Sequence, residues 1–285
     1  MRSFISEYEF VTARHLPGAL QILSSGAGWR SIAGSTDLMV LFNAGKLPCR
    51  RFASISEIEE LRRIEASDDW VTIGAAATYS EIRESATLQA EFPLLCQSAS
   101  WTGGIANQNR GTLGGNIANA SPAADSAPVL LVYDAELELQ STAGRRLVPY
   151  ANFHLGYKQM QLQADELIVT VRLPRPSRDL RQYGRKVGTR KAQAISKVSM
   201  AATAAVENGT IVDLRIAFGS VAPVPLRCKE TERVLRGERL TPSLRERAQQ
   251  TLLLEIAPIS DIRSTSEYRA MVAANLLGEY LEKLG

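Results

Sequence analysis

A chain of 285 residues, 45% hydrophobic and 22% charged, has material for one large domain or two ordinary ones, with the balance of a globular protein. Its formal net charge of +3 is too mild to mark a nucleic-acid binder, and no basic stripe with interleaved aromatics occurs. Three widely spaced cysteines, Cys49, Cys96 and Cys228, rule out the usual clustered thiolates of an iron–sulfur or zinc site within this chain.

The N-terminus, MRSFISEYEF, carries acids where a signal peptide needs an apolar run, and no apolar segment is long enough to span a bilayer. The expected setting is the cytoplasm, with free thiols in a reducing compartment and no membrane contact. Past Pro17, GALQILSSGAG has apolar residues at helical spacing and ends in glycines that suit a C-cap. His15 stands beside this Pro-Gly turn. WRSIAGSTDLMVLFNAGK then reads as a short strand, a small-residue turn and a helix. WVTIGAAAT, 70–78, is the next strand, followed by a helix from Tyr79 to about Ala90 and another from Pro93 to about Ser100.

TLGGNIANASPAAD, 112–125, comes next. Its paired glycines suit a plain turn, and they equally let a ligand approach main-chain N–H groups with no Cβ in the way. Pro128 lacks an N–H, so the helix over VLLVYDA should begin near Asp125 or Ser126 with the proline in its first turn. Asp125 is then either a helix cap or an acceptor for ligand hydroxyls. AELELQS (135–141) and ELIVTVRLP (166–174) alternate in the strand period. His154 falls in the loop between them, and neither histidine has a paired Ser or Cys motif that would build a hydrolytic triad.

The span RPSRDLRQYGRKVGTRK, 175–191, is polar, basic and rich in breakers, and reads as a solvated linker whose start is a domain boundary. KVSMAATAAVENGTIVDLRIAFGSV forms two alternating strands joined by Asn208-Gly209, a type I′ hairpin signal. From Ser243 onward the apolar spacing is helical. The order predicts an α+β fold in two domains, 1–174 and 175–285.

Neither the Walker pattern nor the G-x-G-x-x-G of a dinucleotide fold is present. What remains are two small-residue turns, Ala33-Gly34-Ser35-Thr36-Asp37 and Thr112-Leu113-Gly114-Gly115-Asn116. Each presents backbone N–H groups, hydroxyls and amides at the start of a helical or turn segment, an anion cradle built without cations. Two cradles plus the Asp125 carboxylate fit an extended ligand with a pyrophosphate and sugar hydroxyls.

At these residues the sequence resembles the FAD-binding (medium) subunit of the molybdenum hydroxylases, the xanthine dehydrogenase and carbon monoxide dehydrogenase group. IAGSTDLM resembles the first flavin loop of that family and GTLGGNIANASPAADSAPVLLVYDAELEL its second. TIGAAATYSEI, DELIVTV, RKVGTRKAQAISKV and RIAFGSVAPVPLRC follow in the family's order, so the likeness covers essentially the whole chain. RKAQAIS and APVPLRC are most similar to the bacterial xanthine dehydrogenase branch.

The resemblance implies a PCMH-type FAD-binding domain of two α/β subdomains, then a carbon monoxide dehydrogenase flavoprotein-like C-terminal domain with a small antiparallel sheet and helices. It implies that Arg30, Ser31, Ile32, Ala33, Gly34, Ser35, Thr36, Asp37 and Leu38 hold the pyrophosphate, with Leu38 near the flavin ring. Gly111, Thr112, Leu113, Gly114 and Gly115 line the second turn, and Asn116 supports its shape. Asp125 takes ribityl or ribose hydroxyls, Leu167 and Ile168 meet the flavin or adenine edge, and Lys186 or Lys197 approaches the ring or phosphates. Two positions depart from the pattern. Ser35 stands where relatives often carry a second glycine, and Thr102 where the eukaryotic enzymes place an aromatic over the flavin; Trp101 beside it is either a substitute for that aromatic or a core residue at a helix end.

The implied function is electron transfer in an oxidoreductase: noncovalent FAD here, 2Fe-2S clusters and molybdopterin on partner chains only, and NAD as acceptor. No residue of this chain is assigned as a catalytic acid or base. The implied assembly is a dimer of heterotrimers acting on a purine or other N-heterocycle. Carbon monoxide, nicotinate or an aldehyde are the alternative substrates, and a scaffolding subunit with a decayed flavin site is the alternative of another class. The chain lacks the cysteine-bearing insertion of the benzoyl-CoA reductase relatives, so no iron–sulfur cluster is expected in it.

Overall fold

The small-residue turn at 33–37 hangs from a three-stranded parallel sheet. A computed structural model describes residues 5–47, 49–190 and 193–285; Met1–Phe4 of the N-terminal reading and Lys191, the end of the expected linker, lie outside them. The first unit runs β1 (Glu9–Thr12), α1 (Leu16–Ser24), β2 (Trp29–Ile32), α2 (Leu38–Asn43) and β3 (Arg51–Ser54), with strand order β1-β3-β2. α1 buries Leu16, Ala19, Leu20 and Leu23, the i, i+3, i+4, i+7 stripe of an amphipathic helix. His15 accepts the Gly18 N–H through Nδ1 at 3.0 Å, a capping post.

The second unit holds β4 (Ile64–Ala66), β5 (Trp70–Gly74), α3 (Tyr79–Glu84), α4 (Ala86–Glu91), α5 (Pro93–Trp101), α6 (Ile105–Gln108), α7 (Leu113–Asn119) and α8 (Ala127–Val132). It continues with β6 (Glu136–Ser141), β7 (Gly144–Pro149), α9 (Tyr150–Phe153), β8 (His154–Gly156), β9 (Gln159–Met160) and β10 (Leu167–Pro174). Five of its strands form the antiparallel sheet β4-β5-β10-β6-β7. The strand expected over 70–78 stops at Gly74, because there the chain presses on Leu61: a Cβ on Gly74 would stand 2.2 Å from the Leu61 carbonyl oxygen. The single helix expected from Tyr79 to about Ala90 is two. Ser85 adopts an extended ψ of 114°, ends α3, and turns its hydroxyl to the Leu88 N–H to start α4.

The third unit is β11 (Arg181–Val187), β12 (Val198–Glu207), β13 (Thr210–Gly219), β14 (Leu226–Arg227), α10 (Lys229–Leu235), α11 (Pro242–Glu255) and α12 (Ser266–Leu284). Its sheet has the order β11-β12-β13-β14. Asn208 and Gly209 both take positive φ, 50° and 79°, as the type I′ turn requires. The expected linker is corrected here: its centre is the edge strand β11, paired with β12 from Arg181↔Ala204 to Val187↔Val198. Its charges hid the pattern, yet an edge strand tolerates them, and one face still carries Tyr183 into the C-terminal core.

α8 joins the second and third units. All six of its residues are buried, and it packs between α5 and the β12–β13 hairpin. β12 therefore faces apolar neighbours on both sides, Ala201 toward α8 and Met200, Ala202 and Ala204 toward the C-terminal helices. That explains its run of small residues.

Ahead of α12 the Asp261 carboxylate accepts the Arg263 N–H at 2.9 Å and the Arg269 guanidinium at 2.7 Å. Burial pushes this carboxyl up, but those donors outweigh it and hold it at about 2, below its ordinary 3.8. The contact thus contributes stability above the unfolded value, and that contribution is lost as pH falls through about 2. Wild type and Asp261→Asn, melted across this range, should differ at neutral pH and converge near pH 2. A constant gap would show that the ionised carboxylate is not what stabilises the turn.

Candidate functional site

The first loop leaves β2 at Ile32 and enters α2 at Leu38. Ser35 turns it by adopting a left-handed φ of 64°, and its Oγ bonds to the Ala33 carbonyl at 3.0 Å. A glycine would take this conformation without strain, whereas a serine holds it at a cost. Among the described residues, the main-chain N–H groups from Gly34 to Asp37 have no acceptor within the chain, and Gly34, Ser35 and Thr36 are only half-buried. A run of N–H groups around a left-handed residue is a concave anion-binding nest. Arg30 is exposed beside it, with Ser31 and Ile32 half-buried. Ile32 and Leu38 also line a small apolar cavity with Phe10, Phe42 and Phe52.

The second turn is built differently from the expected cradle. Four of its N–H groups are spent inside the fold: Leu113 on Ala77 at 3.0 Å, Gly114 on Ala75 at 2.8 Å, Gly115 on the Thr112 hydroxyl at 3.1 Å and Asn116 on the Thr112 carbonyl at 3.0 Å. Thr112 is the N-cap of α7, and neither glycine has positive φ. Gly114 is small because a Cβ would stand 2.6 Å from that of Ala75. Asn116 Oδ1 accepts the Ser126 hydroxyl at 3.0 Å and so braces the turn.

The two turns touch. A Cβ on Gly34 would lie 1.7 Å from the Arg110 carbonyl oxygen and 3.1 Å from Gly111 Cα. Gly34 is bare so that two backbones can meet there, whereas a Cβ on Gly111 would stand 2.9 Å from the Asn107 carbonyl oxygen of its own segment.

Asp125 is no helix cap: Ser126 occupies that position ahead of α8. Instead its carboxylate accepts Lys186 Nζ at 2.6 Å and the Ser196 hydroxyl, in a pair whose side chains are each 9% exposed. Burial pushes the Asp125 carboxyl up, and the Lys186 charge and the hydrogen bonds oppose it. Lys186 also donates to the Trp101 carbonyl at 2.9 Å. β11 makes this possible, since Gln182, Gly184 and Lys186 share the face that meets Tyr133, Trp101 and Asp125. The Trp101 ring edge lies 3.2 Å from the place of a Cβ on Gly184, so it packs on β11, and Thr102 turns its hydroxyl back to the Ser98 carbonyl.

Three expected positions are not brought into the cleft. Leu167 and Ile168 are 2% and 5% exposed and, as neighbours on opposite faces of β10, sit in two different cores, so their side chains pack the fold. The two lysines part company: Lys197 Nζ lies 4.9 Å from the Tyr268 ring centre on α12, while Lys186 holds Asp125. Sequence reading missed Lys158. Its Nζ reaches across to Asn119 at the end of α7, bonding the Oδ1 at 2.7 Å, and lies within electrostatic reach of Asp37 in the first loop. A lone lysine in a short hairpin gives no sequence signal for this. His154 bonds to the Ile117 carbonyl at 3.1 Å, a structural post. Among the described residues, no group of His, Cys, Asp or Glu could hold a metal ion, and no helix is long and apolar enough to cross a membrane.

The FAD binding domain in molybdopterin dehydrogenase matches residues 6–176, and the CO dehydrogenase flavoprotein C-terminal domain matches residues 184–284. This chain belongs to the FAD-binding medium subunits of the molybdenum hydroxylases. It is 34% identical over 259 residues to the xanthine dehydrogenase FAD-binding subunit of Escherichia coli O157:H7, covering 90% of this chain and 89% of that one. It is similar to the carbon monoxide dehydrogenase structure from Hydrogenophaga pseudoflava, with a TM-score of 0.92, 26% identity and coverage of 96% and 95%. Quinoline 2-oxidoreductase from Pseudomonas putida 86 matches at a TM-score of 0.91 and 25% identity over 97% and 96% of the chains. The medium subunit is thus an oxidoreductase subunit with the α+β fold of its family. FAD fits what the chain offers, because an unpartnered N–H run such as that of the first loop is able to accept an anionic group with no cation required.

Proposed function

We propose that this medium subunit is the electron-transfer subunit of a xanthine dehydrogenase-like enzyme in the cytoplasm. A separate molybdenum chain oxidises a purine or other N-heterocycle, a 2Fe-2S chain relays the electrons to the flavin held here, and NAD removes them. Two copies of the three-chain unit make the assembly. The first domain, 1–174, carries the flavin loops and the second, 175–285, supplies Lys186.

The free N–H groups of Gly34 to Asp37 carry the flavin reading, and the Escherichia coli relative supports the choice of enzyme. The first loop, Arg30 to Leu38, orients the pyrophosphate, while Arg110 and Gly111, at the entry to the second turn, hold that loop in place through their contact with Gly34. Asp125 retains lone pairs beyond its bonds to Lys186 and Ser196 with which to accept ribityl or ribose hydroxyls. Lys186 sets a positive charge beside the ring. FAD, when bound, supplies the two-electron chemistry, and the chain's part is position, electrostatics and exclusion of water.

Acid precipitation of the purified protein should leave yellow FAD in the supernatant, since a seat of main-chain N–H groups holds its ligand by hydrogen bonds alone. Colour retained in the pellet would reject noncovalent binding. Under anaerobic conditions NADH should bleach the isolated chain, and xanthine should not until the two partner chains are added. Bleaching by xanthine alone would overturn the division of labour. A flavin inert to NADH even in the assembled complex would move the acceptor to oxygen or a quinone.

A further inference from the structure

Ser220, just past β13, is 6% exposed and takes a left-handed φ of 66°, a conformation that strains a serine. Glycine would adopt it freely, so the retained hydroxyl calls for a use. Three segments converge on this residue. Its N–H donates to the Pro122 carbonyl at 2.8 Å, in the loop that carries Asp125. Its Oγ donates to the Ser196 carbonyl at 3.0 Å, and the Ser196 hydroxyl in turn donates to Asp125. Its own carbonyl accepts Arg269 Nη1 from α12 at 3.1 Å.

Arg269 is 4% exposed, and the same Nη1 reaches the Lys197 carbonyl at 3.2 Å. The guanidinium therefore straddles both ends of the Ser220–Ser196 bridge, and its Nη2 donates to Asp261 at 2.7 Å. The result is a closed circuit: Asp125 loop to Ser220, Ser220 to Ser196, Ser196 back to Asp125. None of these donors touches the first loop.

We propose that Ser220 and Arg269 are positioning residues that hold the Asp125–Lys186 pair in register for the flavin, so that the C-terminal helix sets the electrostatics of a site built on the other domain. The inference rests on the flavin reading above. A purely structural role would couple flavin affinity to stability. A positioning role separates them.

Ser220→Gly removes the hydroxyl and relieves the strain together. Its apo protein should melt close to wild type or above it, while its Kd for FAD rises about tenfold, the scale of one lost buried hydrogen bond. The visible absorption of the bound flavin should shift. In a Ser196→Ala background the same substitution should add little to Kd, because its path to Asp125 is already cut. Arg269→Lys should retain more affinity than Arg269→Met. Unchanged FAD affinity and spectrum in Ser220→Gly, or full additivity with Ser196→Ala, would overturn the proposal while the flavin reading stood. A wild-type chain that binds no FAD would overturn both.

Discussion

Asp125→Ala is expected to empty the flavin site and to cost the apo protein about 3–5 kcal/mol, the range for breaking one partner of a buried ion pair. The alanine strands Lys186, whose side chain is 9% exposed, with only the Trp101 carbonyl as an acceptor. Chemical denaturation gives the stability term, and flavin content per chain gives the other. The double variant Asp125→Ala/Lys186→Met should recover much of the stability, because no charge is left without a partner, and none of the flavin. Recovery of both would mean that the pair serves the fold alone. A single alanine variant as stable as wild type would show that water reaches Lys186 freely.

Gly34→Ala should be nearly as damaging by a different route. One methyl group would have to occupy space 1.7 Å from the Arg110 carbonyl oxygen, and a backbone atom cannot swing aside as a flexible side chain can. Overpacking of this kind costs about 1–3 kcal/mol or more. The loop would be pushed off the second turn, so flavin occupancy should fall with stability. Gly115→Ala is the comparison, since its Cβ would meet only the Thr112 hydroxyl, at 2.8 Å. It should weaken the α7 cap and leave the first loop in place. If Gly34→Ala keeps wild-type flavin content, the contact between the turns does not shape the site.

The contrast between these glycines shows what a sequence reveals. Both small-residue turns are legible as turns, and the first as a nest, because Gly34-Ser35-Thr36-Asp37 has no bulk and follows a strand. The turn at 112–116 is likewise rich in small residues, but the N–H groups of Leu113 and Gly114 are consumed by Ala77 and Ala75, acceptors fixed only by the tertiary fold, and those of Gly115 and Asn116 by the Thr112 cap. The Asn208-Gly209 hairpin is readable because both residues answer one local demand. β11 is not, because Gln182, Gly184 and Lys186 suit three separate neighbours across the cleft and break the alternation. Leu167 and Ile168 are legible as strand residues, but that each face of β10 is covered there by a different core is decided by the tertiary packing. Lys158, Ser220 and Arg269 carry no local signal at all; their partners lie 39, 24 and 72 residues away in the chain.

The helix Ala127–Val132 bears on how such a protein can be divided in the laboratory or in evolution. It has no solvent face: one side belongs to the flavin half and the other to the β12–β13 hairpin. A chain ended after Pro174 would strip the hairpin from the face of the helix that carries Pro128, beside a loop missing the lysine that neutralises Asp125. The flavin half is therefore not a portable module. Its solubility and its charge balance are both completed by residues that the ribosome delivers last.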